Sequence, residues 1–161
     1  MVILVMGVAG SGKTTVGSLL ARELGWSFAD ADAFHSPANI AKMAAGQPLT
    51  DEDRGPWLAA LRHHIASCLA RGEQAVVACS ALKESYRTTL VPDPHAVHLV
   101  HLHGSPELLA QRLRQRAGHF MKPAMLESQL AALEPPPTAL RLDIAASPAE
   151  LVARIRTAFG L

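Results

Sequence analysis

The sequence predicts an α/β fold of three layers, a five-stranded parallel sheet between helices. Two observations predict it. Short apolar runs rich in β-branched residues alternate with segments of helical periodicity along the 161 residues, and this alternation calls for right-handed crossovers onto a sheet covered on both faces. A glycine-rich turn, Gly7 to Gly12, joins the first apolar run to the first helical segment.

Val2 to Met6 is a continuous apolar run, the pattern of a strand buried on both faces. Lys13 to Leu24 reads as a helix, with Val16, Leu19, Leu20 and Leu24 along one side and Gly25 as its stop. Trp26 to Ala29 is a second strand, ending in Asp30-Ala31-Asp32. Ser36 to Ala45 reads as a short helix with Pro37 in its first turn. The acids after Thr50 favour a helix N-terminus, and that helix runs to about Ala70. Strands at Ala75 to Cys79, Val97 to Leu102 and Leu140 to Ala145 follow. Helices at Leu82 to Leu90, Pro106 to Arg116, Ala124 to Leu133 and Pro148 to Phe159 separate and close them. No repeat or second-domain boundary interrupts the pattern, so residues 1–161 are expected to form one domain.

Composition narrows the function. Apolar residues make up 49% and charged residues 18%, with a formal net charge of +1. A nucleic-acid binder usually carries a basic excess, so the expected partner is a small molecule, with neither nucleic acid nor membrane involved. Cys68 and Cys79 lie in apolar stretches without a CxxC pair and read as reduced structural thiols. The first residues lack a basic stretch before an apolar core, and no run approaches the ~18 apolar residues that cross a bilayer. A cytoplasmic protein is expected.

Gly7-Val8-Ala9-Gly10-Ser11-Gly12-Lys13-Thr14 matches G-x-x-x-x-G-K-[ST] and stands where that motif requires, after a buried strand and at a helix start. Its backbone N–H groups can curl around phosphate at a positive helix end. Lys13 is placed to reach the β- and γ-phosphates, and the Thr14 hydroxyl to bind Mg²⁺. Gly7 through Thr14, with Thr15, are the candidate ATP-binding residues. The Asn-Lys-x-Asp of GTPases and the LSGGQ of transporter ATPases are both missing from the chain, which leaves a compact metabolite kinase of the P-loop type.

Asp30 and Asp32 are expected on one face at the end of the second strand, where ligands of open α/β sheets bind. Asp30 is assigned to the metal side and Asp32 to an acceptor hydroxyl. The third strand ends in Cys79-Ser80, where many P-loop proteins carry a metal-side aspartate, and this adds weight to the Asp30/Asp32 pair. Lys83, Arg87, Arg112, Arg114, Arg116 and Lys122 form a cationic series in the later segments. Arg112 and Arg116 are four apart beside the Gly118-His119-Phe120 break, the pattern of a lid over residues 112–125 that excludes water. The eight histidines show no ligand spacing. His35 and His119 fall in proposed site loops and read as polar contacts to substrate.

These segments resemble the bacterial-type gluconokinases, P-loop kinases related in fold to shikimate and adenylate kinases. Besides the phosphate loop, the resemblance rests on Asp30-Ala31-Asp32-Ala33-Phe34-His35, Asn39 to Met43, Gly46 to Leu49, Asp51 to Leu58 and Cys79-Ser80-Ala81-Leu82-Lys83. Tyr86-Arg87, Arg112, Arg116, Gly118-His119-Phe120, Ser128-Gln129 and Leu133-Glu134-Pro135 extend it over nearly the whole chain. The resemblance implies transfer of the ATP γ-phosphate to the 6-hydroxyl of D-gluconate, with ATP and Mg²⁺, in a homodimer with a moving lid. It implies Lys13, Asp32 and Arg116 as catalytic residues, Arg112 stacked on adenine, and Arg54 gripping the acceptor carboxylate. His35, Lys83, Arg87, His119 and Gln129 would line the acceptor pocket with Arg54. The acidic lid residues of adenylate kinases and the glycine-rich turn of shikimate kinases are replaced here, which argues against a nucleotide or shikimate as acceptor.

Overall fold

The computed structural model describes residues 1–116 and 123–161. Its strands are β1 (Val2–Met6), β2 (Ser27–Asp30), β3 (Ala75–Ala78), β4 (Val97–His103) and β5 (Leu140–Asp143). Its helices are α1 (Lys13–Leu24), α2 (Pro37–Ala44), α3 (Asp51–Ala70), α4 (Glu84–Leu90), α5 (Pro106–Gln115), α6 (Pro123–Ala132) and α7 (Pro148–Phe159), with a 3₁₀ turn at Ala31–Phe34. The sheet order is β2-β3-β1-β4-β5, and all four pairings are parallel.

All five residues of β1 are fully buried, and their side chains divide between two cores by simple alternation. Ile3 and Val5 face Val16, Leu20 and Ala21 of α1 and Leu151, Val152 and Ile155 of α7. Val2, Leu4 and Met6 face Trp57, Leu61 and Ile65 of α3. Burying side chains of this size contributes about 1.5–3 kcal/mol each. The register pairs Val5 with Ala78, and Ala78 with Asp30. The ends of β1, β2 and β3 therefore lie level, and Gly7, Asp30 and Cys79 emerge side by side.

The helix signals in the sequence act as expected. Gly25 caps α1 in the left-handed conformation. Thr50 and Asp53 form a reciprocal capping box at the start of α3. That box is clamped to α2, because Lys42 Nζ lies 2.9 Å from Asp53 Oδ2 and Asn39 Nδ2 donates to the Asp53 carbonyl at 2.9 Å. Lys42 and the Thr50 backbone hold the Asp53 carboxyl down at about 2. Both cysteines are buried free thiols.

Several boundaries differ from the sequence reading. Residues 82 and 83 belong to a loop, and α4 begins only at Glu84. β2 ends at Asp30, so Asp32 does not alternate along a strand with it. Instead the Asp30 carboxylate accepts the backbone N–H of Asp32 at 3.0 Å and turns the chain into the 3₁₀ segment. Among the described residues no helix is long and apolar enough to cross a membrane.

His101 of β4 is 1% exposed, and its Nδ1 has no hydrogen-bond partner among the described residues. Burial, reinforced by His103, Arg141 and Arg87, pushes its pKa down to about 4 from an ordinary 6.5. Below pH 6.5 the unfolded chain takes up a proton that the folded chain refuses until about pH 4. This contribution to stability is thus whole above that window and falls as the pH drops through it, by roughly 3 kcal/mol in all. His35 is shifted in the same direction, so the difference between wild type and His101→Leu isolates this ring. Urea melts at about pH 7.5 and about pH 4.5 should show a shallower acid loss for the variant. Parallel losses would remove His101 from the account.

Candidate active site

The phosphate loop leaves β1 at Gly7 and enters α1 at Lys13. Its tight course depends on glycine at two points. A Cβ on Gly7 would stand 2.5 Å from the Leu102 carbonyl oxygen and 2.6 Å from Ser11 Oγ. Gly10 has φ +81°, and a Cβ there would press within 3.0 Å of Leu113. The loop is thus seated against β4 and α5. Ser11 Oγ is buried against Gly7 without a hydrogen-bond partner among the described residues. Gly10, Ser11, Gly12, Thr15 and Val16 line a cavity of about 180 Å³, closed on the other side by Arg112, Arg116, Pro148 and Leu151. Arg112 donates through Nη2 to the carbonyl of Ile144 just beyond β5. Its guanidinium is thereby fixed between α5 and the start of α7.

Lys13 donates to the Val8 carbonyl at 3.1 Å. Burial lowers its pKa, while Asp32, Cys79 and Asp30 pull it up and Arg116 pushes it down. Lysine, both aspartates and the arginine at the end of α5 therefore act on one another in one place. Thr14 Oγ1 donates to Asp30 Oδ2 at 2.7 Å, so the two residues assigned to the metal side are in direct contact. Among the described residues no group of three or more His, Cys, Asp or Glu side chains could hold a metal by itself. Two hard oxygen donors beside a phosphate cradle fit Mg²⁺, which draws its remaining ligands from water and substrate phosphates. Cys79, in the place of the usual aspartate, cannot add to that set: burial pushes its thiol up to about 12.

A second cluster of polar and charged side chains gathers around the 3₁₀ turn and the start of α3. The 3₁₀ turn carries Asp32 and is tied to α3 by Trp57, whose Nε1 donates to the Ala31 carbonyl at 2.7 Å. His35 stacks on Trp57 with centroids 4.7 Å apart and planes 10° from parallel. Burial lowers the His35 pKa, opposed by Asp32 and aided by Arg54. Arg54 projects from the first turns of α3 toward Tyr86, with Nη1 donating to its hydroxyl at 3.4 Å. Asp51 gathers the group: Tyr86 donates to it at 2.5 Å and Lys83 at 3.1 Å, and Arg54 lies 3.8 Å away. The Tyr86 and Lys83 bonds hold the Asp51 carboxyl below its usual range.

Two residues expected in the acceptor pocket lie elsewhere. Arg87 is 2% exposed. Its Nη1 donates to the carbonyls of Ala81 and Leu82 at 2.8 and 3.0 Å, and Nη2 donates to Glu84 at 2.6 Å. The guanidinium is a structural tie, and the pocket contact expected of it is corrected accordingly. Gln129 lies on α6, where Oε1 accepts the N–H of Ala9 at 2.7 Å. It belongs to the nucleotide side. His119 falls outside the described residues. The sequence reading missed Asp51 and Tyr86 as members of the acceptor cluster and Trp57 as the platform for His35. The acid after Thr50 had a complete explanation as a helix-start residue, so nothing local marked it as a partner for two cations.

The AAA domain family matches residues 2–136 of this chain. A gluconokinase from Gluconobacter oxydans (strain 621H) is 52% identical over 134 residues, covering 83% of this chain and 75% of its own. The crystal structure of a gluconokinase from Sinorhizobium meliloti 1021 superposes with a TM-score of 0.84 at 44% identity, over 98% of this chain and 94% of that one. An unliganded sugar kinase from Janibacter sp. HTCC2649 gives a TM-score of 0.88 at 46% identity, over 97% and 92% of the two chains. With relatives at this level of identity covering most of both chains, the chain belongs to the gluconokinase family.

Proposed function

We propose that this chain transfers the γ-phosphate of ATP to the 6-hydroxyl of D-gluconate, giving 6-phosphogluconate and ADP. The observation that carries the reading is a phosphate loop whose cavity is lined by Arg112 and Arg116 and whose Thr14 contacts Asp30, with the Arg54–Lys83–Tyr86 cluster on the acceptor side. One half binds phosphate, and the other offers cations to a carboxylate. Family membership supplies the name of the acceptor.

In this reading Gly7 to Thr15 hold ATP, with Arg112 against the adenine. Lys13 draws the β- and γ-phosphates into register. Mg²⁺ held by Thr14 and Asp30 would neutralise charge on the phosphates. Arg54 grips the gluconate carboxylate through its planar fork, and Lys83 shares that charge. Asp32 orients the terminal hydroxyl, and Arg116 meets the charge that develops on the transferring group. His35, kept neutral by burial, offers a hydrogen bond to the polyol and no proton at pH 7. Residues 112–125 serve as the cover that keeps water from the phosphoryl group, and His119 within them is a further candidate contact. The cytoplasmic homodimer expected from the sequence belongs to this reading, and family membership is its support. Residues 1–161 act as one kinase unit.

ADP release from Mg²⁺-ATP should rise strongly with D-gluconate and stay at background with shikimate or AMP. A response to a different sugar acid alone would keep the kinase and discard the acceptor. Silence with every acceptor would discard phosphotransfer. Replacing Lys13 by Ala should lower kcat by about 10²–10³-fold through loss of charge stabilisation on the phosphates. For Arg54→Ala, steady-state kinetics should show the gluconate KM raised roughly ten- to hundredfold and the ATP KM moved less than about twofold. Equal damage to both constants would refute the carboxylate role.

A further inference from the structure

Leu126 and Leu130 of α6, with Leu133 just beyond its end, pack against the core at helical spacing. Gln129 falls on the same face, a polar residue among leucines. A half-buried amide in that position needs a partner, and the partner is the phosphate loop: Oε1 accepts the Ala9 N–H at 2.7 Å, across 120 residues of sequence. The other sides of the loop are already held. Gly7 N–H donates to the Ser80 carbonyl at 3.4 Å, Ser11 N–H to the Val8 carbonyl at 3.2 Å, and Gly10 abuts Leu113 of α5. Ala9 lies between these contacts, and its N–H is fixed from α6.

The same helix is tied to the acceptor side just beyond its end. Glu134 N–H donates to the Leu82 carbonyl at 2.9 Å, and its Oε2 accepts the N–H of Glu84 at 2.7 Å. Residues 129–134 therefore touch both the phosphate loop and the loop that carries Lys83. We propose that α6 is a brace setting the spacing between these loops, and that Gln129 is a positioning residue for the phosphate loop rather than a contact to the acceptor. Without the Oε1 acceptor, the Ala9 peptide is free to turn, and the neighbouring N–H groups lose their shared aim at a phosphate. The inference rests on the nucleotide-binding reading of that loop and is independent of which acceptor is used.

The test is calorimetric titration of the full chain with MgADP, without acceptor, for wild type and Gln129→Met. Methionine keeps length, volume and helix propensity while removing the strong acceptor. The expected result is a loss of MgADP affinity of about five- to tenfold, an unchanged melting temperature, and faster hydrogen exchange at the Ala9 amide by NMR. Gln129→Glu, which retains an acceptor, should keep that amide slow to exchange. MgADP affinity and Ala9 exchange both unchanged in Gln129→Met would overturn the proposal. So would a Gln129→Met loss that tracks a lowered melting temperature, or a gluconate KM that rises while nucleotide affinity holds. Wild type that binds no MgADP would overturn the nucleotide reading and this inference together.

Discussion

Burial of Val2–Met6 on both faces is the constraint on which the site depends. A five-residue strand without an exposed atom of consequence cannot slip, because a shift by one residue would exchange the sets facing the two cores. β3 and β4 pair along its length, and their register fixes where Gly7, Cys79 and His101 emerge. The phosphate loop takes its starting point from this register. It is delivered by the strand behind it and received by α1, whose Gly17 lets Phe28 of β2 approach so closely that a Cβ would lie 2.9 Å from the ring. The same helix thus presses β2 into position, and Asp30 reaches Thr14.

The electrostatics follow from that delivery. Lys13 is an ammonium whose burial disfavours the charge and lowers its pKa. Asp30 and Asp32 offset this cost, and Arg116 opposes them. Bound phosphates would add charge of the sign that burial asks for. The acceptor cluster repeats the logic with less burial, since Asp51 is 69% exposed by side chain, accepts hydrogen bonds from Lys83 and Tyr86 and pairs with Arg54 at 3.8 Å. The phosphate side thus holds Lys13 and Arg112 on backbone carbonyls, and the second cluster holds its cations around Asp51, before any substrate arrives. This preorganisation reduces the rearrangement that binding must drive.

The parts legible in the sequence were those carried by periodicity or by backbone chemistry. The five strands, the phosphate loop, the cap at Gly25 and the long helix starting at Thr50 are all encoded within a few residues. Asp30 and Asp32 both lie near Lys13, although not through the strand alternation expected of them. A side chain that caps its own backbone two residues on overrides the period of a strand, and that choice depends on Trp57 being in place to bind the Ala31 carbonyl. Arg87 and Gln129 show the remaining gap. An arginine after a loop and a glutamine after a lid-like segment look alike whether they bind substrate or backbone. Only the fold reveals that one closes on Ala81 and Leu82 and the other on Ala9.

The turn held by Arg87 explains one of the departures that set this chain apart from shikimate kinases. Ala81 has φ +45°, a conformation that glycine adopts freely and that disfavours an L-residue by about 1–2 kcal/mol. The Ala81 carbonyl is gripped by a guanidinium that is almost wholly buried, and a charge-assisted hydrogen bond of this kind contributes about 1.5–3 kcal/mol. The two magnitudes are comparable, so the arginine can sustain a left-handed alanine where a flexible glycine would otherwise be needed. The gain is a stiff connection between Cys79 and Lys83, the stretch that must hold the Lys83 amine next to Asp51. Rigidity at the acceptor cations thus comes from a residue that faces away from them.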